Sequence, residues 1–165
     1  MEAYVTPEYL LALPVDPMPK DASYPQGTQL PLHCTLMHWF CFGNKFDLLR
    51  LDQVLTVFAT KVRGGIPLAS RHFELFGKNN DVPCHVLERS GPLLLLHTRI
   101  FKFLVEAGSA PEELQWVGAG YRPHVAMVGE RLFPPGAVHM ANSMVLVERF
   151  EGLHKQILRS YTFSR

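Results

Sequence analysis

The chain has 165 residues, of which 47% are hydrophobic and 19% are charged, and this is enough apolar material to bury the core of one domain. Its formal net charge is only +1, which excludes a sequence-wide basic field of the kind that holds long DNA or RNA. A small anionic ligand or a short strand end fits this charge better.

The first predicted elements are two strands and a helix. Residues 9–13 read as a short strand, and three prolines then open a loop that reaches about Leu30. A second strand is predicted over residues 32–40. Apolar residues recur at helical spacing over residues 46–62, with Asn44 as a cap at the start, so we expect a helix there.

The middle of the chain predicts a hairpin followed by a second helix. Residues 66–76 and 82–87 are rich in β-branched and aromatic residues, and the segment between them consists of turn formers. Ser90 and Pro92 then suit the cap and first turn of a helix, which Gly108 closes.

Three further strands are predicted over residues 123–128, 144–150 and 156–163, the last two joined around Gly152. The order of elements favours an α+β fold with mostly antiparallel sheets. We expect one domain over residues 1–165, built of two lobes, because each half contains one strand with a histidine in a similar setting.

The cysteines and the first residues bear on the compartment. Cys34, Cys41 and Cys84 are an odd number without C-x-x-C spacing, which predicts reduced thiols in a cytoplasmic protein. Residues 1–20 contain four prolines and acidic residues instead of a signal peptide's basic start and apolar core. No apolar run approaches the roughly 20 residues of a membrane span, and we expect a monomer that does not bind membranes.

The histidine-bearing strands read L-H-C-T-L-M around His33 and P-H-V-A-M-V around His124. Side chains alternate along a strand, so His33 and Thr35 are predicted to share one face with Met37, while Cys34, Leu36 and His38 occupy the other. His124 and Ala126 share a face of their own strand. Two adjacent strands of this kind would bring both imidazoles into one groove.

Such a pair suits acid and base catalysis on a phosphodiester. Imidazole has an unperturbed pKa of about 6.5, so near neutral pH one ring can accept a proton while the other donates one. The Thr35 hydroxyl could donate a hydrogen bond to a phosphoryl oxygen. A histidine in a strand is also commonly a partly buried structural residue, and it is the pairing of His33 with His124 that favours catalysis.

These two runs, and the order of elements between them, resemble the 2H phosphoesterase superfamily, which includes the 2′-5′ RNA ligase-like proteins. The resemblance spans nearly the whole chain. Members carry two H-x-[ST] motifs on pseudo-symmetric lobes that face each other across a cleft, and they cleave 2′,3′-cyclic phosphates, related cyclic nucleotides or 2′-5′ linkages without metal. The resemblance therefore implies two mostly antiparallel sheets, helices packed outside them and a central cleft.

The resemblance further implies that His33 and His124 are the acid and base, that Thr35 binds phosphate, and that no cofactor is needed. The implied ligand is a small nucleotide, a cyclic oligonucleotide or an RNA end. The second motif departs from the family because Ala126 stands where a hydroxyl is expected, and losing one such donor can cost ~10²–10³ in rate. Two interpretations stay open: a metal-independent phosphoric diester hydrolase, and a catalytically weakened nucleotide- or RNA-end-binding module.

Other residues have weaker patterns. Tyr121 and Arg122 precede the second motif and could border the cleft as a stacking ring and a phosphate-pairing guanidinium, or could serve loop packing and solvation instead. Cys34, His38 and Cys41 carry atoms that zinc accepts, but strand alternation separates Cys41 from the other two. The remaining histidines are interpreted as structural: His72, His85, His97, His139 and His154.

Overall fold

The computed structural model describes residues 6–42, 45–109, 111, 113–150 and 154–165. In these residues the helices are α1 (Lys45–Lys61) and α2 (Gly91–Glu106), with two short 3-10 turns at Leu114–Trp116 and Gly118–Gly120. The strands are β1 (Glu8–Pro14), β2 (Ser23–Tyr24), β3 (His33–Phe40), β4 (Ile66–Phe76), β5 (Val82–Leu87), β6 (His124–Ala126), β7 (Val138–Ala141), β8 (Ser143–Arg149) and β9 (Lys155–Thr162).

The strands of the described residues form one sheet in the order β2-β9-β8-β1-β3-β6-β5-β4-β7, and each pairing of neighbours in it is antiparallel. β3 and β6 meet near its middle, through the pair Cys34 and Val125. The α+β class and the antiparallel pairing are thus confirmed. The two groups of strands, expected as separate sheets, are continuous through β3 and β6.

The hydrophobic core lies between the helices and one face of this sheet. The buried side of α2 presents Leu93, Leu96, Ile100 and Leu104 at helical spacing, and they join one cluster with Cys34 of β3. Burying each such leucine fully contributes about 1.5–3 kcal/mol. Packing of α2 against this face leaves the opposite face of β3 and β6 for the site.

Most predicted elements are confirmed, with ends shifted by at most a few residues, but β2 and β7 were not predicted. β2 has only two residues and lies within the proline-rich loop, and β7 is a four-residue edge strand with exposed Val138 and Met140. Ser90 lies at the N-cap of α2 but makes no capping hydrogen bond. The expected cap at Asn44 and turn at Gly152 lie outside the described residues.

A bulge in β3 changes which of its side chains share a face. Leu11 pairs with Met37 and the next residue, Ala12, pairs with Thr35, so one step along β1 spans two residues of β3. Leu36 and Met37 are consequently both buried in the core. The predicted alternation therefore holds through Leu36 and is wrong from Met37 onward: Met37 faces the core, and His38 returns to the face of His33 and Thr35.

Among the described residues, neither helix combines the length and the hydrophobicity needed to cross a membrane.

Candidate active site

The side chains of both histidine motifs lie on one face of the sheet. The paired residues Cys34 and Val125 are completely buried in the core, so their neighbours on each strand project from the opposite face. The antiparallel register then sets Thr35 beside His124 across the two strands, with His33 beside Ala126. The expected adjacency of the two strands is therefore observed, and it brings His33, Thr35 and His124 together.

Both histidines are held in the same way. The Nδ1 atom of His33 lies 2.7 Å from the carbonyl oxygen of Pro31, and that of His124 lies 2.9 Å from the carbonyl oxygen of Arg122. A carbonyl only accepts, so Nδ1–H is the donor in each ring. The neutral form of each ring therefore presents Nε2 as the atom that can accept or return a proton.

The surroundings favour neutral rings before a ligand binds. Burial lowers the pKa of His33, the bond to the Pro31 carbonyl opposes this, and the charges of His124 and Lys155 lower the pKa further. Burial also lowers the pKa of His124. An anion placed between the two rings would favour protonation of one of them, which is the condition for one acid and one base.

His38 is a third histidine of this face, and the sequence analysis considered it only as a possible zinc ligand. Burial lowers its pKa to about 4, with further lowering by the charges of His124, His97 and His33. Strand alternation assigned it to the wrong face, because the bulge arises from pairing with β1 and has no local sequence signal. The only hint was a polar ring between the apolar residues Met37 and Trp39.

A cavity of about 500 Å³ opens beside His124 and His38, which is within the range of small-molecule sites. Phe76 forms part of its wall, with its ring centroid 4.5 Å from that of His124 and 5.7 Å from that of Trp116, on which it stacks. The rest of the lining comes from Gly77, Lys78, Val82, Glu113 and Gln115. The cavity thus combines an aromatic wall with two imidazoles.

Arg122, which the sequence suggested as a residue bordering the cleft, packs against Phe76 of this wall. Its guanidinium is 4.7 Å from the centroid of the Phe76 ring, and its Nη2 atom donates to a carboxylate oxygen of Glu74 at 2.6 Å. This bond lowers the pKa of Glu74. Because Glu74 already pairs with the guanidinium, a bound phosphate would have to compete with it for Arg122.

Tyr121 lies on the opposite side of the sheet, in the core. Only 2% of it is exposed, and its ring stacks on His97 with the centroids 3.8 Å apart. Its hydroxyl donates to the carbonyl oxygen of Thr35 at 3.0 Å. The expectation that Tyr121 stacks on a ligand is therefore corrected: the ring is enclosed in the core and supports the backbone of β3.

His97 makes a similar contact one residue further along. Its Nδ1 atom donates to the carbonyl oxygen of Leu36 at 2.8 Å, and the backbone N–H of Gly118 donates to its Nε2 atom at 2.9 Å. Burial lowers the pKa of His97, which suits a neutral ring with one donor and one acceptor. Tyr121 and His97 together fix the carbonyl groups of Thr35 and Leu36, where the bulge begins.

Within the described part of the chain, no cluster of histidine, cysteine and acidic side chains is arranged to hold a metal ion. Cys34 is buried in the core, Cys41 is exposed, and the bulge turns His38 to the face opposite Cys34. The zinc ligand set considered from the sequence is therefore not assembled.

No protein-family model and no curated protein matches the chain.

Several solved structures match the chain along nearly its whole length. A crystal structure of a phosphoesterase matches 96% of this chain and 99% of its own at 13% identity, with a TM-score of 0.56. Escherichia coli LigT complexed with NADP+ matches 98% and 99% at 14% identity, with a TM-score of 0.57, and LigT complexed with 3′-AMP matches 97% and 99% at 13% identity, with a TM-score of 0.55. The chain therefore has the fold of these phosphoesterases, as the resemblance to the 2H phosphoesterase superfamily implied.

Proposed function

We propose that the protein is a phosphodiesterase in which His33 and His124 act as paired acid and base on a cyclic phosphate or a 2′-5′-linked nucleotide. The observation that carries this proposal is the matched hydrogen bond from each Nδ1 atom to the carbonyl two residues earlier. It presents two Nε2 atoms on one face, beside the Thr35 hydroxyl. The fold shared with phosphoesterases, among them LigT structures with bound 3′-AMP and ATP, supports the same class of substrate.

The reaction requires that one proton is removed from the attacking oxygen and one proton is donated to the leaving oxygen. The Nε2 atom of one histidine accepts a proton from water or a ribose hydroxyl as that oxygen attacks phosphorus. The bond from phosphorus to the leaving oxygen breaks, and the other histidine protonates that oxygen. Each transfer typically contributes ~10²–10⁴ in rate, while the Thr35 hydroxyl donates to the phosphoryl oxygen on which charge builds.

The test is a panel of 2′,3′-cyclic mononucleotides, cyclic oligonucleotides and 2′-5′-linked dinucleotides, assayed in chelator. We expect turnover that falls by roughly 10² or more in His33→Ala and in His124→Ala. His154→Ala is the matched control. The His154 ring is exposed and lies beside Phe150, which belongs to neither histidine motif. An inactive wild type, or a His33→Ala variant as active as the wild type, would refute the proposal.

A second candidate function is supported by the surroundings of Ala126. The Ala126 side chain has no hydroxyl to offer a phosphate. Its methyl group packs instead against an apolar cluster that includes Phe76, Cys84 and Val86. A nucleotide- or RNA-end-binding module with little turnover fits this asymmetry. It is distinguished by nucleotide binding in calorimetry under conditions where the same panel yields no product.

A further inference from the structure

The cavity lies beside only one of the two motif histidines. Among the described residues, the cavity is lined by His124 and His38, whereas His33 and Thr35 are not part of its lining. Along β3 the order on this face is His33, Thr35 and then His38, because of the bulge. A phosphate between His33 and His124 would therefore have room for a large organic group on the His124 side.

The wall of this cavity suits a flat ring. Phe76 and Trp116 stack with an interplanar angle of 28°. Phe76 is 7% exposed and also contacts His124 and Arg122, so it is fixed from several sides. Trp116 is only half-buried and lines the cavity. Stacking of a nucleobase on such an aromatic side chain contributes about 1–3 kcal/mol.

His38 adds a directional contact to this wall. With a pKa of about 4, its ring is neutral near pH 7 and offers one donor and one acceptor. The donor and acceptor groups on the edge of a heterocycle can form hydrogen bonds with such a neutral ring, whereas a phosphate binds a cationic ring more strongly. The hydrogen bonds of Tyr121 and His97 to the carbonyls of Thr35 and Leu36 hold the backbone just before the bulge, which keeps His38 on this face.

We propose that His38 is a specificity-determining residue, which hydrogen bonds to the heterocycle of a nucleotide whose base stacks on Trp116. This inference rests on the proposed function, because it takes the phosphate to lie between His33 and His124. The substrate class is then a phosphodiester with a nucleobase on the His124 side. Cyclic phosphates of simple alkyl diols lack the group that the cavity recognises.

Trp116 provides a binding signal that does not depend on turnover. The chain has two tryptophans, so Trp39→Phe leaves Trp116 as the single emitter, and Trp116→Phe leaves Trp39 as the control. We expect saturable quenching of Trp116 by 3′-AMP, and binding of ribose 5-phosphate at least tenfold weaker by calorimetry. Equal affinity for both compounds, or quenching that follows Trp39, would overturn the inference.

Two substitutions separate the hydrogen bond of His38 from its volume. His38→Phe keeps a ring but removes the donor and acceptor, and we expect 3′-AMP affinity to fall roughly 5- to 10-fold. His38→Asn keeps both groups, so its loss should be smaller, and inorganic phosphate should bind all three proteins alike. The inference fails if His38→Phe weakens phosphate and 3′-AMP equally, or weakens neither. These are binding results, so an absence of turnover would refute the proposed function and leave this test standing.

Discussion

The hydroxyl of Tyr121 donates to the carbonyl oxygen of Thr35 at 3.0 Å, from the core side of a sheet whose other side carries the Thr35 side chain. A buried tyrosine thus sets the backbone of a residue that faces the cleft. The ring of His97, stacked on Tyr121, does the same for Leu36. The position of the Thr35 hydroxyl is therefore coupled to the packing of α2 behind it.

Tyr121→Phe tests this coupling, because it removes one hydrogen bond and retains the stacked ring. We expect the free energy of unfolding to fall by about 1 kcal/mol and kcat to fall several-fold, measured by urea denaturation and by turnover. Tyr161→Phe is the matched control: its buried hydroxyl donates to Asp52 at 2.7 Å, on α1. If both variants lost the same stability and the same activity, Tyr121 would have no special effect on the site.

The Thr35 hydroxyl itself is tested by Thr35→Val, which preserves the branched shape, and by Thr35→Ser, which preserves the hydroxyl. Loss of a preorganised donor to a phosphoryl oxygen should lower kcat by ~10²–10³, and serine should restore most of it. Thr56→Val is the control, because the Thr56 hydroxyl bonds within α1. Equal turnover by the valine and serine variants would exclude a role for the hydroxyl.

Ala126→Ser tests the missing half of the second motif. The new hydroxyl would lie beside His33 across the strands, where a second donor to the phosphate could raise kcat by up to ~10². Placing it against the apolar cluster of Phe76 and Cys84 should cost about 1 kcal/mol of stability. Steady-state kinetics and urea denaturation measure the two effects. Unchanged kcat in a folded, nucleotide-binding variant would mean that this position does not limit the reaction.

Local patterns were sufficient for the elements that pack against the core. The spacing of Leu93, Leu96 and Ile100 predicted α2, and the turn formers between β4 and β5 predicted the hairpin. Strand alternation was sufficient to place the His33 and Thr35 side chains on one face of β3, opposite buried Cys34. These features depend on periodicity, which a sequence shows directly.

The features that the sequence did not predict depend on contacts between residues that are far apart in the chain. The bulge that turns His38 into the cleft exists because β3 pairs with Leu11 and Ala12 of β1, and nothing near His38 indicates it. Tyr121 adjoins the second motif in sequence, but the neighbouring His97 of α2 draws its ring to the core side. Pairing register and burial of single rings are tertiary properties, so neighbouring residues could not predict them.

The pH dependence of stability follows from the buried histidines, above all His38, whose pKa falls from 6.5 to about 4 on folding. Above pH 6.5 the ring is neutral in both states. Between pH 6.5 and 4 the unfolded chain binds a proton that the folded protein excludes, so stability falls as the pH falls. One pKa unit corresponds to 1.36 kcal/mol, so His38 alone should remove about 2 kcal/mol by pH 5. His33 and His124 act in the same direction, because burial lowers the pKa of each.

Urea denaturation at pH 7 and at pH 5 measures this loss, and His38→Phe identifies its source. The phenyl ring cannot take up a proton in either state, so the variant should lose about 2 kcal/mol less than the wild type over the same interval. If His38→Phe and the wild type lost the same stability between pH 7 and pH 5, His38 would not be the buried neutral ring on which the specificity proposal depends.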